Sequence, residues 1–483
     1  MLYKDTIAAI SSGMSASGIG IVRISGDKAF DVIDRIYFGK DKLSEAESHT
    51  IHYGFIKDGS ETIDEVLISV MRSPRTFTGE DTVEINCHGG IFVVKKVLEI
   101  VLKNGAKLAE PGEFTKRAFL NGRMDLSQAE AVIDVINSEN EYALKSSVGQ
   151  LRGSIKNAVN KIREEIIYHT AFIETALDDP EHISIDGYSE KLDRILIEVM
   201  NQLGKLISSY ESGRIIKDGI QTVILGKPNV GKSSLLNILS GRERAIVTDI
   251  EGTTRDILEE KVRIQGLNLN VIDTAGIRDT SDKIEKMGVD KAKEYADQAD
   301  LIVYVADASR KLDENDIHIA ELIYGRKCVI LLNKSDLNTV ITKEDVKSFL
   351  RGVFCGVEKR ISHECVDNHV NIDSLIEQIP LIDISVKMEQ GIQEFGSVLQ
   401  KIFFEGKIAL NEEIHITNLR QKEALSNAYA SLERVRDSIC NQMPEDFYSI
   451  DLMDAYETLG SITGETIGED LVNEIFSKFC MGK

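Results

Sequence analysis

Eight consecutive residues, Gly226-Lys227-Pro228-Asn229-Val230-Gly231-Lys232-Ser233, have the types and spacing to hold phosphate. They fit G-x-x-x-x-G-K-[ST], a loop whose backbone N–H groups cradle anionic oxygens where a helix begins. Lys232 is placed to reach the outer phosphates, and the Ser233 hydroxyl to hold Mg²⁺. The flanks suit the motif: residues 222–225 read as a strand and residues 234–239 as the start of a helix.

Three later stretches extend the pattern. Asp273-Thr274-Ala275-Gly276 follows the apolar run 267–272, with an Asp for the Mg²⁺ shell and a glycine whose N–H can approach a γ-phosphate. Asn333-Lys334-Ser335-Asp336 follows the run 328–332. A carboxylate at Asp336 can accept two N–H bonds from a guanine edge, whereas adenine presents different donors. Ser385-Val386-Lys387 follows the run 381–384 and is similar to the Ser-Ala-Lys element that backs the base. Its middle residue departs from that pattern, which matters little if only backbone meets the base. Between the loop and Asp273, the segment Gly252-Thr253-Thr254-Arg255-Asp256 offers Thr254 to Mg²⁺. Four elements in this order, each behind a strand, predict a domain that binds GTP. The residues expected at the nucleotide are Asn229, Val230, Gly231, Lys232, Ser233 and Ser234, then Thr248, Asp249, Ile250, Glu251, Gly252, Thr253 and Thr254. They continue with Asp273, Thr274, Ala275 and Gly276, then Asn333, Lys334 and Asp336, and finally Ser385, Val386 and Lys387. Many small GTPases orient the attacking water with a Gln just after the Asp-x-x-Gly element. Here Ile277 stands there, so hydrolysis needs another device.

The elements that would position these residues follow from periodicity. Residues 214–388 alternate strands and helices, as a parallel sheet with crossover helices requires. Residues 1–118 mix the two, with strands near 19–24 and 65–71 and a helix over Ile91–Lys103. Residues 119–213 are helical; Ala129, Val132, Ile133, Val135 and Ile136 begin the apolar spacing, and Asp178-Asp179-Pro180 breaks it. Residues 389–483 are helical again, with Val398, Leu399, Ile402 and Phe403 on one face. The expected fold is therefore multidomain, α+β and α/β. The two helical flanks would pack together and carry the nucleotide domain as an insertion, which neighbouring domain termini make easy.

Bulk properties narrow the function. A chain of 483 residues suits two to four domains. No apolar run approaches a membrane span and residues 1–5 show no signal-peptide pattern, so a cytoplasmic location without membrane contact is expected. The formal net charge of −22 argues against broad nucleic-acid binding, though not against a local basic face. The cysteines Cys87, Cys328, Cys355, Cys365, Cys440 and Cys480 are scattered, as reduced thiols are. Cys355, His363, Cys365 and His369 have ligand types that suit zinc, but the spacing is not a finger's, and an ordinary surface segment explains them as well.

The end of the chain, Phe479-Cys480-Met481-Gly482-Lys483, resembles the C-terminal Phe-Cys-x-Gly-Lys signature of the MnmE family, also called TrmE, the GTPases of tRNA wobble-uridine modification. Further likeness lies in Gly18-Ile19-Gly20-Ile21-Val22-Arg23-Ile24-Ser25-Gly26, Phe77-Thr78-Gly79-Glu80-Asp81-Thr82-Val83-Glu84, Cys87-His88-Gly89-Gly90 and Pro111-Gly112-Glu113-Phe114-Thr115. The resemblance spans the chain. It implies an N-terminal dimerisation and tetrahydrofolate-binding domain over 1–118 and a helical domain built from 119–213 and 389–483. The inserted G domain would occupy 214–388.

It also implies a homodimer that joins the flavoprotein MnmG in a heterotetramer, the partner bringing FAD and NADH. The product would be an aminomethyl or carboxymethylaminomethyl group at C5 of the wobble uridine of certain tRNAs. The one-carbon unit would come from a tetrahydrofolate derivative, in the 5-formyl or methylene form. By position, Arg23, Glu84, Arg123 and Lys483 match folate contacts, with Arg where the family often has Lys at 123. Cys480 matches either a thiol nucleophile or a small pocket-lining residue. In the G domain, Asn229, Thr248, Ile250 and Thr253 match the ligands of a K⁺ that takes the place of an arginine finger. Glu285 matches the water-orienting carboxylate, and Arg255 and Arg278 match mobile-loop arginines. There are departures: residues 11–17 replace a stretch that usually carries Pro and more Gly, and Gln421 stands where His is common.

Overall fold

The computed structural model describes residues 5–242, 259–272, 293–362, 371–404, 414–466, 468–477, 479 and 482. The chain divides into two compact units. One comprises Met1–Asn137, Ser146–Ser208 and Asn418–Lys483, and the other Ser138–Lys145 and Ser209–Thr417.

In the first unit, seven strands pair into one sheet, and the longer ones alternate in burial. The strands are β1 (Ile7–Ile10), β2 (Gly20–Ser25), β3 (Tyr37–Gly39), β4 (Thr50–Asp58), β5 (Glu61–Met71), β6 (Thr82–Cys87) and β7 (Lys107–Leu108). Their order is β3-β4-β5-β6-β2-β1-β7. β1 and β7 run parallel and the other pairs antiparallel. Side chains alternate across a strand. Val22, Ile24, Val83 and Ile85 therefore enter the core beside the helices Ala29–Ile36 and Ile91–Lys103. Arg23 and Glu84, opposite one another in the β2–β6 register, point the other way.

The helical part of this unit keeps the boundaries that the chemistry suggests. Helix Leu126–Ile136 opens on a capping box formed by Asp125 and Gln128. Helix Ser154–Asp178 stops just ahead of Asp179-Pro180, because a residue before proline is pushed out of the helical region. Helices Leu419–Cys440 and Asp446–Thr463 come from the far end of the chain. Arg420 there reaches back with both Nε and Nη2 to the Glu130 carboxylate, each at 3.0 Å. Gln421, fully buried, donates to the same carboxylate at 2.8 Å. The residue that departs from the family pattern thus holds a place in a buried polar network.

The second unit contains a six-stranded sheet ordered β13-β12-β11-β8-β10-β9. Its strands are β8 (Ile220–Leu225), β9 (Glu259–Ile264), β10 (Leu267–Ile272), β11 (Leu301–Asp307), β12 (Cys328–Asn333) and β13 (Leu381–Asp383). β9 is an antiparallel edge strand and the remaining neighbours are parallel. β10, β11 and β12 are buried at every residue, as parallel strands covered on both faces must be.

One element lies elsewhere than its sequence suggested. Helix Ile392–Phe404, expected in the helical tail from residue 389, buries Phe395, Leu399 and Phe403 in one core with Leu269, Leu331 and Ile384. Its wide apolar face suits a sheet as well as a bundle, and the unit around that core runs on to Thr417. Among the described residues, no helix is long and apolar enough to cross a membrane.

Candidate nucleotide site and N-terminal cleft

Parallel strands bring their C-terminal ends to one edge, where α/β sheets bind ligands. The phosphate loop leaves β8 there, Asp307 ends β11 and Asn333 ends β12, with Asp307 and Asn333 directly in register. The glycines of the loop are required by their surroundings. At Gly226 (φ 151°) a Cβ would lie 2.4 Å from the Val305 carbonyl oxygen, and at Gly231 (φ 106°) it would lie 2.3 Å from Asn333 Nδ2. That close approach allows Asn333 Nδ2 to donate to the Val230 carbonyl at 2.7 Å. Asn333 Oδ1 accepts from the Val386 backbone N–H at 3.1 Å. One amide thus ties the phosphate loop to the Ser385-Val386-Lys387 turn. Val386 takes part through its backbone N–H, while its side chain is buried in the core beneath the sheet.

Asp336 Oδ1 accepts from the Ser385 hydroxyl at 2.7 Å, which orients the carboxylate expected to meet guanine. Lys334 is in the left-handed region (φ 67°), and its Nζ donates to Asp307 Oδ2 at 2.6 Å. Burial alone would raise the Asp307 carboxyl. Hydrogen bonds from Lys334 and Ser309 outweigh it and hold the group below the usual carboxylate range. Lys232 Nζ folds back onto the carbonyls of Gly226 and Lys227, at 2.7 and 2.8 Å. Asn229, Ser233 and Ser234 are exposed.

Two supports of this site escape motif reading. One is Asp307, whose only signal is a carboxylate closing an otherwise apolar strand. The other is Lys227, which the motif leaves unspecified. Its Nζ donates to Asp313 and Asp316, both at 2.8 Å, and so pins the loop to the start of helix Glu314–Ile323. Asp316 is fully buried and also accepts from the Tyr304 hydroxyl at 2.7 Å. Burial opposes the charge on Lys227, but the two carboxylates outweigh it and raise its pKa.

The first unit holds the other expected residues. Arg23 Nε and Nη2 both reach Glu84 Oε1 at 2.8 Å. The Arg23 guanidinium also lies 5.7 and 5.6 Å from the ring centroids of Phe77 and Phe114. The Gly482 carbonyl approaches Arg23 Nη1 at 3.5 Å and accepts from the Ser11 hydroxyl at 3.0 Å. Gly482 has φ 90°, and a Cβ on it would fall 2.1 Å from the Ile10 carbonyl oxygen. The signature glycine is therefore seated against the end of β1, beside Arg23. Arg123 lines a cleft of about 380 Å³ with His49, Met71, Pro74, Arg75, Thr76 and Phe77. Cys87, at the end of β6, is no candidate nucleophile: burial pushes its thiol up to about 11.

Several expected residues lie outside the described ones. They are Thr248, Asp249, Ile250, Glu251, Gly252, Thr253, Thr254, Arg255, Asp273, Thr274, Ala275, Gly276, Ile277, Arg278, Glu285, His363, Cys365, His369, Cys480 and Lys483. Among the described residues no group of three or more His, Cys, Asp or Glu side chains is placed to hold a metal.

Comparison with known proteins agrees on one family across the whole length. The family model described as GTP-binding protein TrmE N-terminus matches residues 6–123, and that described as MnmE helical domain matches residues 126–480. A curated relative named tRNA modification GTPase MnmE, from Lachnoclostridium phytofermentans, is 56% identical, with 100% of each chain covered. Proteins of the same name from Acetivibrio thermocellus and Clostridioides difficile are 47% and 44% identical, again over 100% of each chain.

Proposed function

This chain belongs to the MnmE (TrmE) family, and from that premise we propose that it is a GTPase acting in tRNA modification. The observation that carries the GTPase reading is the linked guanine side of the site. Asn333 joins the phosphate loop to the 385–387 turn, and Ser385 aims Asp336. On nucleotide entry, the outer phosphates replace the Gly226 and Lys227 carbonyls as partners of Lys232. The Lys334 stem, steadied by Asp307, lies along the base. The Asp336 carboxylate takes the guanine N–H groups and rejects adenine.

Two cations complete the proposal. Exposed hydroxyl and amide oxygens at Ser233 and Asn229 suit hard cations, which favour oxygen ligands. Ser233 and Thr254 would hold Mg²⁺. Asn229, Thr248, Ile250 and Thr253 would hold K⁺, which supplies positive charge where negative charge develops during hydrolysis. With Ile277 in the usual place of the water-orienting Gln, Glu285 would orient the attacking water. Hydrolysis would drive separation and re-pairing of two G domains in a homodimer.

The first unit would bind a tetrahydrofolate derivative through Arg23, Glu84, Arg123 and Lys483. Cys480 would lie beside it as nucleophile or pocket lining. With the flavoprotein MnmG, which carries FAD and uses NADH, the chain would install an aminomethyl-type group at C5 of the wobble uridine in the cytoplasm. Steady-state GTP hydrolysis by the purified chain in potassium and in sodium tests the catalytic part. Turnover several-fold faster in potassium is expected, and Asn229→Ala should abolish the difference. Equal turnover in both salts would remove potassium from the mechanism, and no turnover in either would remove the GTPase.

A further inference from the structure

We propose that the cleft beside Arg123 receives the γ-linked glutamate chain of a polyglutamylated folate, and that Arg75 selects for that chain. This rests on the folate reading of Arg23, Glu84 and Arg123.

The cleft lining contains two arginines and a histidine and no carboxylate. That is unusual in a chain with 79 acidic and 57 basic residues. Arg75 and Arg123 are both exposed, and the side chain of neither makes a hydrogen bond or ion pair among the described residues. The contrast with Arg72, three residues earlier, is instructive. Arg72 gives its guanidinium to the Ala46 and Ser44 carbonyls and lies over the Phe30 ring. Arg72 is therefore committed to the fold, whereas Arg75 has a charge to offer.

The segment that presents Arg75 is held firmly. Ser73 N–H donates to Asp81, and the Ser73 hydroxyl to the Gly79 carbonyl. Thr76 N–H donates to the Pro74 carbonyl, and the Thr76 hydroxyl to the Glu80 carbonyl. Elsewhere in the lining, Ser48 holds the His49 ring at Nδ1, at 2.8 Å. A guanidinium on a pinned segment loses little freedom when it engages a carboxylate, and its planar fork matches one bidentately.

Phe77 joins this cleft to the expected folate pocket, since it lines the cleft and also stands 5.7 Å from the Arg23 guanidinium. A monoglutamyl folate carries two tail carboxylates, and each added glutamate brings one more. Arg123 meets the first of these in the folate reading, leaving Arg75 for the extension. A nucleic acid would need cations spread along a backbone. Two arginines in a 380 Å³ cleft fit a short polycarboxylate better.

The test is calorimetric titration of the full chain with monoglutamyl and pentaglutamyl 5-formyltetrahydrofolate. The wild type should bind the pentaglutamate roughly tenfold more tightly. Arg75→Ala should reduce that advantage to within about twofold while leaving monoglutamate affinity unchanged. Arg75→Lys should keep part of it. Equal binding of the two forms by the wild type, or an advantage untouched by Arg75→Ala, would overturn the proposal and leave the folate site standing. Arg75→Ala weakening tRNA binding, with the pentaglutamate advantage intact, would assign the arginine to RNA and likewise overturn it. Failure of both forms to bind would remove the folate reading itself.

Discussion

Asp336 is assigned the choice of base, and it rests on one carboxylate. Asp336→Asn keeps the shape but presents an N–H where an acceptor is needed. Two hydrogen bonds to a charged group are lost, so GTP affinity should fall about a hundredfold. Xanthosine triphosphate, which carries a carbonyl in place of the guanine amine, should bind in its stead. Equilibrium titration with both nucleotides measures this, and GTP binding changed less than about threefold would contradict the assignment. Residues of this kind can be proposed from the sequence, because Lys232, Asn333 and Asp336 sit in spaced patterns that phosphate and guanine chemistry demand. Asp307 and Lys227 cannot be. Each belongs to an ordinary run of residues, and its role arises only when distant segments meet: Asp307 with Lys334 at 2.6 Å, and Lys227 with Asp313 and Asp316 at 2.8 Å.

At the scale of elements, two networks hold segments together. Asp307 couples the end of β11 to Lys334, and its pKa is lowered from 3.8. A carboxyl depressed on folding contributes stability that is complete above its unfolded pKa and is lost as pH falls through the folded value. The difference in urea midpoint between wild type and Asp307→Asn should therefore be constant above about pH 4 and shrink at lower pH. A difference that grows on acidification would show that Asp307 is not held as described. In the first unit, Glu130 receives Arg420 and Gln421 from helix Leu419–Cys440. Glu130→Ala would leave a half-buried guanidinium and a buried amide without that acceptor. It should destabilise this unit by about 3 kcal/mol, read as a lower denaturation midpoint with GTP affinity unchanged. A midpoint shifted by less than about 0.5 kcal/mol would contradict it.

Element existence was the most legible layer, since periodicity marks strands and helices before any contact is known. Helix Ile91–Lys103 and strand Leu267–Ile272 begin and end where their apolar runs do. The allegiance of an element was harder to read. An amphipathic helix such as Ile392–Phe404 declares that one face is buried, but not against which partner.

For the whole molecule, a net charge of −22 sets the problem of handling RNA and anionic ligands. Such a chain must concentrate positive charge locally, and the Arg75–Arg123 cleft is one place where it does so. One unit is drawn from three chain segments, and alternation of pattern along the sequence does not say which segments pack together. The measurement that tests the central claim most directly is nucleoside mass spectrometry of bulk tRNA from cells lacking this gene. The cells would be complemented with the wild type or with Lys232→Ala. Aminomethyl-type wobble uridines should vanish on deletion, return with the wild type and stay absent with Lys232→Ala. An unchanged nucleoside profile on deletion would contradict a role in tRNA modification. Full recovery with Lys232→Ala would contradict its dependence on GTP.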